Sequence, residues 1–115
     1  MAGALLALAA LPAAAHHTFA MFDASRIVTL HGTLKEFQWT NPHCFLQVSV
    51  PKNGVTTEWS VQMNAPLDLY RVGWRPHTLQ PGDSITVQIK PSRDGRHSGA
   101  YVGGTGPDGK ALKGG

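Results

Sequence analysis

Apolar residues recur at every second position in several short runs of this chain, the period of a strand with one buried face. From Arg26 to Phe37 the run RIVTLHGTLKEF puts Val28, Leu30 and Leu34 on one face and Thr29, His31, Thr33 and Lys35 on the other. Gly32 interrupts the apolar face, and a glycine there suits a bulge or sharp coil that lets one long strand serve two sides of a small barrel. His43 to Val50 alternates again, with Cys44, Leu46, Val48 and Val50 together. Pro51-Lys52-Asn53-Gly54 reads as a hairpin turn, returning the chain into Val55 to Met63 with Val55, Thr57, Trp59, Val61 and Met63 inward. Ala65 to Val72 fits one or two helical turns stopping at Gly73. After Pro81-Gly82-Asp83, Ser84 to Lys90 points Ile85, Val87 and Ile89 inward, and Gly99 to Thr105 is a last, glycine-weakened strand. Three strands, a short helix and two more strands is the order of a small five-stranded, partly open barrel of the oligonucleotide/oligosaccharide-binding (OB) type, with a small β-sandwich as the alternative.

The first fifteen residues break this pattern. MAGALLALAALPAAA is apolar throughout, too short to cross a bilayer as a helix, and ends in small residues, as a secretion signal does. Cleavage after Ala15 is expected, leaving residues 16–115 as one domain, with 107–115 a frayed tail. The usual Lys or Arg ahead of the apolar core is missing, so either the true start lies further upstream or the segment is not a signal. The absence of polar residues at helical spacing favours the first. Nothing later is long and apolar enough to anchor the chain, so a soluble periplasmic product without a membrane span is expected.

Composition adds exclusions. At 115 residues there is room for one domain, and the lone cysteine excludes an internal disulfide. Ten Lys and Arg against seven Asp and Glu give +3, too thin a positive charge to indicate nucleic acid as a partner. The acidic residues include no close pair for general acid and base work, and no serine lies on a nucleophile elbow. A binding protein is therefore expected rather than an enzyme.

The segments HHTFAMFD (His16 to Asp23), VTLHGTLKEFQWTNPH (Val28 to His43), LYRVGW (Leu69 to Trp74), LQPGDSITV (Leu79 to Val87) and PSRDG (Pro91 to Gly95) together resemble domain-of-unknown-function family 6152, small exported proteobacterial proteins. The resemblance spans nearly the whole mature chain and implies export and a shared fold, but no reaction. That family usually shows an acidic residue where this chain has Gln62 or Met63.

Candidate chemistry gathers at the new amino end. Cleavage before His16 would place a free α-amine beside the His16 and His17 imidazoles, and amine plus imidazole nitrogens suit Cu(II) in tetragonal geometry. His43 is the candidate for a further imidazole from the body, with His31 and His97 behind it; a solvated polar tail is the bland alternative. Trp39 and Asn41, in the loop joining the first two strands, and Arg71 are candidate rim residues for a small ligand or a periplasmic protein partner, against a purely structural role in covering the barrel and shaping the turn. Arg71, Arg75 and Arg93, with Lys90 and Arg96, could form a basic rim or simply a solvated surface. Cys44 falls on the apolar face, where a free cysteine behaves as a small hydrophobe.

Overall fold

The computed structural model describes residues 20–115. Among the described residues, five strands, β1 (Val28–Gln38), β2 (Phe45–Lys52), β3 (Val55–Gln62), β4 (Ser84–Pro91) and β5 (Ser98–Thr105), and the helix α1 (Pro66–Arg71) follow one another in the expected sequence. The sheet closes in the order β1-β2-β3-β5-β4, the OB arrangement, and not as two stacked sheets. Four neighbouring pairs are antiparallel; the fifth, β3 with β5, is parallel and joins only Ser60–Ser98, Val61–Gly99 and Gln62–Ala100.

β1 serves both of its neighbours, as expected from its length. Val28 to Thr33 pair with β4, and Thr33 to Gln38 pair with β2. The bulge lies between Leu34 and Glu36 rather than at Gly32. One extra residue reverses the inward phase, so Leu30 and Leu34 before it and Phe37 and Trp39 after it all pack on the core. Gly32 is needed for a different reason. A Cβ there would lie 2.2 Å from the Ser49 carbonyl oxygen, so two backbones approach where only hydrogen fits.

The core is the predicted alternation made three-dimensional. Cys44, Leu46, Val48, Val61, Val87 and Ile89 have no exposed surface, and Leu30, Leu34 and Ile85 almost none. Each such aliphatic side chain contributes about 1.5–3 kcal/mol through burial. Val55 departs from the expectation: it is 64 % exposed, because the hairpin at Asn53-Gly54 carries the start of β3 beyond the barrel wall.

Pro66 opens α1 with its φ already helical and no N–H to satisfy. The helix ends in a Schellman motif: Gly73, at φ +104°, donates to Tyr70 O (3.1 Å), and Trp74 N–H donates to Leu69 O (2.9 Å). That reversal drives Trp74 and Leu69 into one end of the barrel, both with no exposed surface, while Leu67, Tyr70 and Val72 face outward. Trp74 meets Phe37 and Tyr101 edge-on at 5.6 and 5.9 Å.

The tail makes several hydrogen bonds to the barrel. Leu112 N–H donates to Gly104 O (2.9 Å), Trp74 Nε1–H to Gly114 O (2.8 Å), Asn64 N–H to Gly115 O (2.8 Å), and the Tyr101 hydroxyl to Lys113 O. Glycine and lysine there act through backbone carbonyls, which satisfy buried donors at the barrel end without apolar side chains of their own. Among the described residues, no helix is long and apolar enough to cross a membrane.

Candidate functional site

The proposed leader, residues 1–15, and the imidazoles of His16 and His17 lie outside the described residues. What the structure does show is how the chain following them is held. Ala20 to Asp23 run alongside the end of β4 and the β4–β5 loop: Asp23 N–H donates to Pro91 O (2.8 Å), Arg93 N–H to Met21 O (2.9 Å), and Arg93 Nε–H to Ala20 O (3.1 Å). Phe22 bridges to Ser92 and is only 6 % exposed, whereas Met21 faces solvent. Asp23 turns its carboxylate onto Ser25, accepting from its N–H (3.0 Å) and hydroxyl (2.6 Å), and these bonds lower its pKa.

The histidines are spread over both ends of the barrel. His43 is half-buried between β1 and β2, and its Nδ1–H donates to Met63 O at 3.1 Å. It stands where β2 begins and β3 ends, whereas Ala20 to Asp23 dock where β4 ends and β5 begins, so the two occupy opposite barrel ends. His97 belongs to the docking end. It lies in the loop closed by Ser92 N–H donating to Ser98 O (2.9 Å), with its ring 5.0 Å from that of Trp59. His31, on the outer face of β1, bonds Thr86 Oγ1 through Nδ1 at 3.0 Å. Among the described residues, no three His, Cys, Asp or Glu side chains gather closely enough to hold a metal ion.

Cys44 is a core residue. Its side chain is fully buried, 3.8 Å from the Thr40 carbonyl, and desolvation raises the thiol pKa, which disfavours the thiolate that metals and electrophiles require.

Of the rim candidates, Trp39 and Asn41 are brought together in a shallow depression completed by Pro66, Leu67 and Tyr70. Arg71 is not part of its lining; it is exposed and pairs with Asp68 at 3.8 Å, one helical turn back. Arg75 lies over the Tyr70 ring, 3.6 Å from its centroid, and donates to Tyr70 O and Trp74 O. Arg93 binds backbone and Arg96 pairs with Asp94 at 3.1 Å, so the five basic residues divide between two regions and form no common rim. Asp94 also accepts from the Ser92 hydroxyl (2.6 Å) and from Arg96 N–H (3.0 Å), bonds that lower its pKa and shape the β4–β5 loop.

Sequence reasoning missed two features. The docking role of Arg93 is exerted on main-chain carbonyls 72 and 73 residues away and leaves no local mark. The outward turn of Leu67 and Tyr70 beside Trp39 was hidden because helical spacing alone left their burial undecided.

Residues 4–101 match the model of a Family of unknown function (DUF6152). No curated protein and no solved structure matches the chain.

Proposed function

Because the chain belongs to the DUF6152 family, whose shared feature here is a small β-barrel of unestablished activity, we propose from its own residues that it is an exported, periplasmic binding protein whose mature amino end, beginning at His16, chelates copper. The observation that carries the reading is the docking of Ala20 to Asp23 onto the β4–β5 loop. A chelating amine needs a chain end held near its remaining ligands, and Ala20 to Asp23, which begin three residues beyond His17, are tied down by three hydrogen bonds to Pro91 and Arg93 and by buried Phe22. The amine and His16 supply two nitrogens. The third is assigned to His97, the imidazole on the loop that receives the segment, rather than to His43 at the far end. Across that loop two strand spacings, about 10 Å, separate Met21 from His97, and a chain of four residues, the distance in sequence from Ala20 back to His16, can span up to about 14 Å.

Mass spectrometry of the exported protein combined with Cu(II) titration tests this. The product is expected to start at His16, and Cu(II) is expected to quench Trp59 through its contact with His97. One extra alanine before His16 and His97→Ala should each weaken Cu(II) binding about tenfold or more, the loss of one nitrogen ligand, while His43→Ala should not. Equal affinity with and without the extra alanine sinks the copper reading. A loss from His43→Ala but not His97→Ala moves the third ligand to the other end of the barrel.

A metal-free reading is favoured by the depression at Trp39 and Asn41. Leu67 and Tyr70 beside it are 59 % and 53 % exposed, apolar surface suited to a small ligand or a periplasmic protein. Binding that survives replacement of His16 and His17 by alanine and is lost on Tyr70→Ser supports this second reading.

A further inference from the structure

The two ends of the barrel are finished differently. At one end Leu69 and Trp74 fill the opening and the backbone of residues 112–115 covers it. At the other, where β2 turns into β3, no helix among the described residues caps the inward-facing rows. On β1 the inward row is closed at Leu30 but half-open at Val28; on β2 it is closed at Val48 and half-open at Val50; on β3 it is closed at Val61 and half-open at Trp59 and Thr57. These half-open positions border a cleft of about 270 Å³ shared with Lys52 and His97.

The chemistry of that lining is specific. Its floor is apolar, Val28, Leu30 and Val50, with one face made by Trp59. Thr29, Thr57, Lys52 and His97 complete the lining, and Lys52 contributes a cationic side chain. No carboxylate lines the cleft, and among the described residues Lys52 forms no ion pair. A barrel mouth is a common place for a small ligand, and this one offers a cation over an apolar basin.

We infer that this mouth is a binding site for a small monocarboxylate with an apolar body, the body displacing water from Val28, Val50 and Trp59 and the carboxylate pairing with Lys52. A neutral ligand would leave the ammonium without a counter-charge. A bare inorganic anion would leave the apolar basin wet. The inference does not depend on copper, and its test is made with metal removed.

Hexanoate is titrated into the full mature chain in the presence of EDTA, followed by tryptophan fluorescence and calorimetry, with hexanamide and inorganic phosphate as comparisons. Hexanoate should bind saturably, with a fluorescence change that Trp59→Phe removes. Hexanamide should bind about tenfold more weakly, Lys52→Ala should lose about tenfold and Lys52→Arg should keep most of the affinity, the usual worth of a hydrogen bond to a charged group. Lys52 is exposed at the hairpin, so its replacement leaves the core intact, and an unchanged thermal melt verifies this. No binding up to about 10 mM, the weak limit for a fit of this size, overturns the proposal. So does equal affinity for acid and amide, indifference to Lys52→Ala, or displacement of hexanoate by an equal concentration of phosphate.

Discussion

Gly32→Ala isolates the close approach on which the coiling of β1 depends. An alanine Cβ at this position would fall 2.2 Å from Ser49 O, 3.0 Å from its carbonyl carbon and 3.0 Å from Val48 Cγ1. A comfortable carbon–oxygen contact is about 3.3 Å, so the strands must separate by about 1 Å or the carbonyl must rotate out of the ladder. Neither is easily accommodated, because Val48 is fully buried and Ser49 pairs with both Thr33 and Glu58. Overpacking of this kind costs about 2–3 kcal/mol, and the lower chain entropy of alanine returns about 0.5–1 kcal/mol, for a net loss of about 2 kcal/mol. For a domain of this size that lowers Tm by about 8–16 °C in a circular-dichroism melt. Gly103→Ala in β5 is the matched control. Its Cβ would meet only Gln88 Oε1 at 3.9 Å, so stability should stay within about 0.5 kcal/mol of the parent. Should Gly32→Ala melt within a few degrees of Gly103→Ala, the contact is not what requires glycine at this position.

Tyr101 predicts a pH effect with a definite sign. Burial raises its pKa, so the folded protein retains the phenolic proton above pH 10 while the unfolded chain releases it; stability is fully present below about pH 10 and falls as pH rises beyond it, by up to about 1.4 kcal/mol per pH unit. Tyr101→Phe removes this contribution, so the difference between the two proteins in urea unfolding should shrink steadily from pH 9.5 to 11. The Trp74 indole N–H should exchange slowly with solvent in NMR although its acceptor, Gly114 O, belongs to a glycine-rich tail; exchange as fast as for an exposed indole would show that the tail does not hold. Cys44 should resist a thiol reagent in the native state and react at once in denaturant, because the thiol is both buried and disfavoured as thiolate. Phe22→Ala should loosen Ala20 to Asp23 and weaken Cu(II) binding while changing the barrel core little, since Phe22 packs outside the main cluster.

Much of the candidate site resisted reading from the sequence for identifiable reasons. Histidine positions are plain in the chain, but that His43 stands where β2 begins and His97 where β5 begins, at different ends of the barrel, follows only from how the strands pair. Trp59 and Thr57 read as inward residues, which they are; that they are only half-buried among the described residues follows from the position of α1 and the tail at the other end. The basic residues looked poolable because charge carries no record of its partner; Arg71, Arg75 and Arg96 each have a partner close in sequence, and Arg93 binds the distant Ala20 carbonyl.

Local chemistry determined the elements: alternation set the inward faces of β1 through β4, Asn53-Gly54 the hairpin, and Pro66 and Gly73 the limits of α1. Sequence also determined that Cys44 is core, because its neighbours at Leu46 and Val48 share its face. Only the tertiary structure decided the bulge beyond Leu34 that turns Phe37 and Trp39 inward, the closure of β3 on β5, and the docking of both terminal segments. The physical reason is the range of the interaction involved. Side-chain periodicity is written residue by residue, whereas strand register and main-chain hydrogen bonds between distant segments depend on how the whole barrel closes, and a backbone carbonyl is the same in every residue.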